Sequence, residues 1–203
     1  DGRFLFSGYS ESTTPFTIAA GGSVVYNGDQ GQRTLQISDS RFVAINDSGA
    51  DVFQRIPEGN GTFVLGVNPA NTGSGTLGSG SVVNPASWVA DNYTITFVTP
   101  TSYEVRDGTN ALVVAGAFTP SQSLTFAGIE LSIDGTPAAG DTFTVAPAAQ
   151  RDVFATPDRL IAAIEAPASS PAGRAQLHSN VGQRLADLDQ AISHIIEQRG
   201  EIG

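Results

Sequence analysis

The C-terminal part of the sequence repeats large apolar residues at intervals that place them on one face of a helix. Successive members lie 4, 4, 3, 4, 3 and 7 residues apart, the alternation of threes and fours that marks a coiled-coil seam. A helix over residues 171–203 would be roughly 50 Å long at 1.5 Å per residue. Because that is longer than a helix covering a β domain needs to be, we expect this apolar face to pack in a helical bundle or against a partner helix. We call the set the apolar stripe; its members are Leu177, Val181, Leu185, Leu188, Ile192, Ile195 and Ile202.

Two helix start signals precede or open this region. Thr156-Pro157-Asp158 combines an N-cap residue, a preset φ angle and an acid near the positive end of the helix dipole. The run EAPASSP then ends that helix, and Ser170-Pro171 begins the long one. We expect Ile192→Asp or Ile195→Asp to destabilise the helical part far more than His194→Ala, because a carboxylate on the stripe would lose its hydration.

Before about residue 150 the sequence consists of short β-branched and aromatic runs, which predict an all-β region. Turn sequences such as Asp134-Gly135-Thr136-Pro137 separate the runs. Residues 68–92 hold few large apolar side chains and are predicted to form a long, exposed and mobile loop. The predicted strands are residues 3–7, 16–19, 23–27, 33–38, 62–67, 93–98, 102–106, 111–118, 122–126, 129–133 and 142–146.

The change from strand to helix patterns near residue 150 predicts an α+β fold with two domains. Residues 1–49 and 150–203 would together form a discontinuous domain of long helices and a β-hairpin. Residues 50–149 would form an inserted all-β domain, either sandwich-like or barrel-like. Domains of about 100 to 150 residues are common, so the chain is long enough for two.

Two missing residue types exclude several enzyme classes. The sequence has no cysteine, and all ten basic residues are arginine, so thiol catalysis, disulfides, Walker-type phosphate loops and Schiff-base chemistry are excluded. The net charge of -10 disfavours nucleic acid and anionic membranes as partners. No apolar run approaches the roughly 20 residues of a membrane helix. Other enzyme classes stay open, such as a secreted hydrolase whose catalytic triad assembles across the fold, but no motif in the sequence supports one.

Motifs that resemble ligand sites are better explained by local structure. GSGTLG at residues 73–78 matches the dinucleotide-binding pattern but lacks the flanking strand and helix. NDSGAD at residues 46–51 lacks the closing glutamate of a calcium loop. Asp134 and Asp141 are explained by a hairpin turn rather than by a glycosidase pair. His178 and His194 lack metal-binding spacing and are better explained as part of a polar, solvent-facing helix face.

The stretch YNGDQGQRTLQIS, residues 26–38, combines a turn sequence around an acid with a polar–apolar alternation typical of a half-buried strand. From the residues alone, its polar side chains fit either a bound ligand or a hairpin that faces water. The candidate site residues in this stretch are Tyr26, Asn27, Gly28, Asp29, Gly31 and Arg33.

Five segments resemble, in order, segments of the flagellin superfamily and, within it, the family of the third hook-associated protein, which forms the hook-filament junction. The family also has long helices before and after these segments. The resemblance therefore implies that the chain is an internal piece of a longer protein, and that by itself it stays monomeric. The segments are GRFLFSGY (2–9), VVYNGDQGQRTLQIS (24–38), DSGADVF (47–53), FAGIELSIDGTPAAGDTF (126–143) and EQRGEIG (197–203).

The resemblance implies a structural protein of the extracellular bacterial flagellum that is not an enzyme and uses no cofactor or metal. It would join the first hook-associated protein to the flagellin filament, form a ring with its own copies and require an export chaperone. Residues 26–38 would be a β-hairpin that packs on the helical domain, with its polar side facing solvent or a neighbouring subunit. The alternative is a secreted carbohydrate-binding or adhesin-like β module, which would need an exposed aromatic row; the only tryptophan, Trp88, lies in the predicted loop.

Overall fold

The structure is a computed structural model that describes residues 2–202, with side chains up to residue 200. It contains helices and several separate antiparallel sheets, so the fold is α+β, as predicted. The helices are α1 (Gly49–Phe53), α2 (Ala155–Glu165) and α3 (Pro171–Ile202). The strands are β1 (Phe16–Ile18), β2 (Val24–Tyr26), β3 (Thr34–Ser38), β4 (Arg41–Ala44), β5 (Ile56–Pro57), β6 (Phe63–Val67), β7 (Thr76–Val82), β8 (Tyr93–Thr99), β9 (Ser102–Arg106), β10 (Leu112–Ala117), β11 (Ser123–Phe126), β12 (Ile129–Asp134), β13 (Thr142–Pro147) and β14 (Gln150–Arg151).

The chain divides into two compact units, each discontinuous in sequence. The hairpin unit comprises Asp1–Pro57, Gln150–Asp158 and Leu188–Gly203, and the sheet unit comprises Glu58–Ala149 and Arg159–Asp187. This division differs from the expected boundaries, because residues 50–57 fall in the hairpin unit and residues 159–187 fall in the sheet unit.

The sheet unit is built from two antiparallel sheets that share one apolar core. Their strand orders are β10-β9-β8-β13-β6 and β11-β12-β7. Inward-facing residues of both sheets join in a single cluster, as the alternation along the strands requires. At its centre the ring of Phe97 meets those of Phe118 and Phe143 edge-on, with centroids 4.9 and 5.8 Å apart. Such pairs stabilise a core by roughly 0.5–1.5 kcal/mol each beyond their buried area.

The hairpin unit is held by small hairpins and a cluster of aromatic rings. β1 pairs with β2, β3 with β4, and β5 with β14, all antiparallel. The ring of Phe16 lies 5.6 Å from Phe53 and 5.2 Å from Phe154, and Phe6 packs edge-on against Phe53 at 5.2 Å. These rings join the N-terminal segment to the start of α2, which explains why residues so far apart in sequence form one unit.

Most of the predicted strands are present, but several assignments were wrong. Residues 3–7 form turns with a single bridge from Ser7 to Ser48 rather than a strand. Strands β4, β5 and β14 were not predicted. Residues 68–92 are not one long loop, because strand β7 lies within them and pairs with β12 through Leu131↔Gly80 and Ile133↔Leu77.

Strand β7 was not predicted because glycines occupy positions where a strand usually carries apolar side chains. A Cβ atom at Gly80 would lie 2.8 Å from the ring of Phe63, and one at Gly78 would collide with the Ser132 hydroxyl. Neighbouring side chains therefore fill the space that the strand's own side chains would take. GSGTLG accordingly leads into a strand and not into a phosphate-binding helix.

The helix starts agree with the sequence signals. Ser170 caps α3, since its hydroxyl accepts a hydrogen bond from the Gly173 amide at 2.9 Å and Pro171 is the first helical residue. Helix α2 begins at Ala155, one residue before the predicted cap. Within residues 2–202, no helix combines the length and apolar character required to cross a membrane.

Candidate assembly surfaces

The apolar stripe lies along α3 and is only partly covered. Leu177, Val181, Leu188 and Ile195 are half-buried. Leu185 and Ile192 remain 50% and 56% exposed, and Ile196 beside them is 64% exposed. The side chain of Ile202 lies outside the described part of the structure. The stripe thus presents an apolar surface that the described residues leave open to solvent.

A different face of α3 packs on the sheet unit, and sequence reasoning missed it. The Ser179 hydroxyl accepts a hydrogen bond from the Leu77 amide and donates one to Ala175 O, both at 2.9 Å. The Gln176 side-chain amide donates to Pro69 O and Asn71 O at 3.0 and 3.1 Å. This face is small and polar where the stripe is large and apolar. Its most buried members within the sheet unit are Ala175, Ser179, Gln183 and Asp187.

A buried carboxylate fixes the same face of α3 to a turn of the sheet unit. One oxygen of Asp187 accepts the Gly59 amide at 2.9 Å, and the other receives the Arg184 guanidinium at 2.7 Å. A buried carboxylate needs such partners to offset its lost hydration. The signal for this face was a row of small and polar residues at every fourth position, which hydrophobic patterning ignores.

The C-terminal part of α3 contacts the hairpin unit through His194. Its Nε2 atom lies 2.8 Å from the Asp51 carbonyl oxygen, so that nitrogen carries the proton and donates it. This contact gives His194 a structural role in place of the polar, solvent-facing role or the metal-ligand role weighed from sequence. No group of histidine and acidic side chains suited to a metal ion occurs among residues 2–202.

The candidate hairpin residues do not form one hairpin. Tyr26 ends β2 and Arg33 precedes β3, and each of these strands pairs with a different partner. Asn27, Gly28, Asp29 and Gly31 lie in the loop that connects the two hairpins. Residues 34–38 form a strand as predicted, but all five are exposed, so the expectation of a half-buried strand was wrong. The preceding turn sequence does not close this strand on β2.

Asp29 organises this connecting loop. One carboxylate oxygen accepts the amides of Tyr9 and Gly31, each at 2.8 Å, and the other accepts the Ser10 hydroxyl at 2.7 Å. The Tyr9 amide, followed by the Ser10 hydroxyl and the Gly31 amide, holds the Asp29 pKa below its ordinary value by stabilising the carboxylate. The Asp29 carboxylate therefore holds the loop together, and its position is explained without an external ligand.

The Tyr26 hydroxyl joins three separate backbone segments. It lies 2.9 Å from Phe6 O and 2.7 Å from Asp29 O, and it accepts the Gly49 amide at 3.2 Å. Burial raises the Tyr26 pKa above its ordinary value. A Cβ atom at Gly49 would lie 2.8 Å from the Tyr26 ring, so a residue without a side chain is needed there.

The remaining polar residues of the loop also pair within the hairpin unit. The Arg33 amide donates to the Asn46 side chain at 2.6 Å, and Asn46 donates to Gly8 O at 2.9 Å. The Arg33 guanidinium pairs with Glu11. The polar residues that suggested a ligand therefore bind the protein's own backbone and side chains.

An open cavity of about 340 Å³ lies in the sheet unit beside α3, β6 and β7. Phe63, Leu65 and Leu77 contribute its apolar wall, and His178 is the single ionisable side chain among its lining residues. It holds no pair of acid and base groups that could act together on a substrate. Trp88 does not belong to an exposed aromatic row, because its ring packs 5.7 Å from Phe63 and 6.1 Å from Tyr93.

Comparison with known proteins gives consistent relatives. Residues 67–147 match the family model described as flagellar hook-associated protein 1, D2-like domain. FlgL of Xanthomonas campestris in space group C2 is 35% identical with a TM-score of 0.89, over 100% of this chain and 65% of that one. Flagellar hook-associated protein-3 from Legionella pneumophila is 34% identical with a TM-score of 0.89, over 100% of this chain and 66% of that one. The chain thus spans slightly less than two thirds of these relatives, and no curated protein matches it significantly.

Proposed function

Because this chain belongs to the family of flagellar hook-associated junction proteins, we propose that it helps to join the hook to the flagellin filament outside the bacterial cell. The family consists of flagellar structural proteins and not of enzymes. In the proposed role the protein contacts the first hook-associated protein on one side and flagellin on the other. It also forms a ring with its own copies and is delivered by an export chaperone.

The observation that carries this proposal is the open apolar stripe on α3. The helix uses its small, polar face for its own chain, while Leu185 and Ile192 stay half exposed. Fully burying a leucine or isoleucine stabilises a complex by roughly 1.5–3 kcal/mol, so each half-exposed side chain offers about half of that. Large apolar residues at coiled-coil spacing fit a partner helix, which would cover them along the stripe.

The test is complementation of cells that lack their own junction protein. We expect full-length protein carrying both Leu185→Asp and Ile192→Asp to be exported but to leave cells without filaments, scored by electron microscopy and swimming. Val89→Asp is the matched control, because Val89 is 60% exposed and is not part of the stripe. Filaments on cells with the double variant would refute the role of the stripe.

A second proposed contact is the hairpin of β3 and β4. Leu35, Ile37 and Phe42 are more than half exposed there, and a two-stranded hairpin has little stability of its own in water. A neighbouring subunit would cover these side chains. We expect Phe42→Asp to reduce filament formation in the same complementation assay while the thermal unfolding of the purified chain stays unchanged. Unchanged filament formation with Phe42→Asp would remove this contact from the proposal.

A further inference from the structure

We propose that Asn27 is a site of spontaneous deamidation in the folded protein, whereas Asn60 is protected. These two asparagines are the ones that precede a glycine in this sequence, at 27–28 and 60–61. Glycine lacks a Cβ atom, so its amide nitrogen reaches the preceding side chain more easily than that of any other residue. The sequence alone predicts the same reactivity for both asparagines, whereas their hydrogen bonds in the structure differ.

The reaction is an intramolecular acyl transfer followed by hydrolysis. The amide nitrogen of the glycine loses its proton and attacks Cγ of the asparagine, forming a new C–N bond. The Cγ–Nδ2 bond then breaks, and the NH₂ group takes up a proton and leaves as ammonia. Water then opens the resulting five-membered succinimide at either carbonyl carbon, which gives aspartate or isoaspartate. The only co-reactant is water, and no electrons are exchanged.

At the first site the geometry leaves the attacking nitrogen available. Asn27 is exposed, and the Gly28 amide donates no hydrogen bond within residues 2–202. The Asn27 side chain donates to the Thr17 hydroxyl at 2.9 Å, with two further contacts at 3.5 Å. One short hydrogen bond near the surface is a weak restraint on the rotation that brings Cγ to the Gly28 nitrogen.

At Asn60 both reacting groups, the asparagine side chain and the amide of the following glycine, are fixed by hydrogen bonds. The Gly61 amide donates to Glu58 O at 3.0 Å. The Asn60 side-chain oxygen accepts the amides of Thr62 and Phe63 at 3.0 and 2.9 Å, and its nitrogen donates to Gly80 O at 3.0 Å. Attack at Asn60 requires several of these bonds to open together, so we expect it to be slower by a factor on the order of ten to a hundred.

Conversion at Asn27 would alter the loop that Asp29 organises. The product replaces the donor to Thr17 by a carboxylate and adds a charge two residues before Asp29, in a chain whose net charge is already -10. Isoaspartate also lengthens the main chain next to Tyr26, whose hydroxyl joins three backbone segments. We therefore expect the modified protein to unfold its hairpin unit at lower denaturant concentration.

The test is incubation of the purified chain at physiological temperature and mildly alkaline pH, followed by peptide mass spectrometry. Deamidation is read from the mass change on replacing NH₂ by OH, and isoaspartate from labelling by an isoaspartyl methyltransferase. Asn60 is the internal control, Asn27→Gln is the matched variant, and the same chain in concentrated urea shows both sites without their structure.

We expect modification at Asn27 to outpace that at Asn60 in the native chain and the two rates to converge in urea. Asn27→Gln should abolish the isoaspartate label on the peptide that contains residue 27 of the native protein. The proposal is overturned if native Asn60 reacts as fast as Asn27, or if the rate ratio is the same in urea as in buffer. It is also overturned if native Asn27 stays intact while the unfolded chain reacts.

Discussion

Replacing Asp141 by asparagine should destabilise the sheet unit, because three backbone amides depend on this carboxylate. Asp141 is only 2% exposed. One oxygen accepts the Thr72 amide at 2.8 Å, and the other accepts the amides of Gly73 and Ala138 at 3.1 and 2.8 Å. The side chain thus closes the turn before β13 on the segment that leads to β7.

The size of the effect follows from what an asparagine can offer in the same place. It has one acceptor oxygen and one NH₂ group, so at best the oxygen keeps Gly73 and Ala138 while the NH₂ group faces the Thr72 amide. An unsatisfied buried amide costs about 1–3 kcal/mol, and each remaining bond weakens by about 1 kcal/mol when its acceptor becomes neutral. Removing a buried charge returns part of this. We expect the free energy of unfolding to fall by about 2–4 kcal/mol.

The assay is urea unfolding followed by the fluorescence of Trp88, the single tryptophan, which packs against the core of the sheet unit. Asp134→Asn is the matched control. Asp134 accepts one hydrogen bond from the Ser121 hydroxyl, which an amide oxygen can also accept, so we expect a change of less than about 0.5 kcal/mol. A loss of that small size in Asp141→Asn as well would refute the argument from the three amides.

The other predictions concern the carboxylate of Asp29, substitutions of two glycines, and the apolar stripe. Because the pKa of Asp29 is lowered, its carboxylate stabilises the folded state at pH values above the ordinary pKa of an aspartate, and this stabilisation is lost as the pH falls through the lowered pKa. In a plot of the urea midpoint against pH, Asp29→Asn should therefore reduce the fall in the midpoint at acid pH. An unchanged fall would contradict this prediction. Gly80→Ala should cost about 1–3 kcal/mol because its Cβ would lie 2.8 Å from a buried phenylalanine ring. Gly182→Ala, on α3, should raise the free energy of unfolding by about 0.5–1 kcal/mol, because its Cβ would meet nothing within 4 Å. Equal urea midpoints for Gly80→Ala and Gly182→Ala would be inconsistent with the packing described. Ile192→Asp should change stability less than His194→Ala, the reverse of the order expected from sequence, because Ile192 is half exposed and His194 contacts a backbone carbonyl; thermal melts of both variants decide the order.

Strand positions were predictable wherever the chain itself supplies the alternating apolar side chains. Strands β8, β12 and β13 carry their own inward residues and were predicted to within one residue at each end. Strand β7 was not, because its inward space is filled by side chains from other strands. These contacts exist only in the folded structure, so the residues of β7 itself show no apolar periodicity from which a strand could be predicted.

The loop of residues 26–33 shows the same limit for polar residues. The sequence correctly marked a turn around Asp29 and a strand after Arg33. It could not show that the acid accepts the amide of Tyr9, twenty residues away in sequence. Glycine and aspartate favour turns for local reasons, and whether such a turn closes a hairpin depends on which strands pair.

Helix α3 shows that an apolar pattern can mark one face of a helix and miss the face through which the chain itself packs. Two faces of this helix repeat at helical spacing, and hydrophobicity selects the apolar one. The chain packs through the other, where Ser179 and Asp187 bind amides 102 and 128 residues away in sequence. Such hydrogen bonds are specific because a buried amide left unpaired costs more than a paired one gains. Folding of α3 on the sheet unit and the proposed packing of its stripe on a partner therefore depend on different residues. A substitution on the stripe can abolish assembly in a chain that still folds, and a substitution at Ser179 should do the opposite: it should destabilise the sheet unit and leave the assembly surface intact.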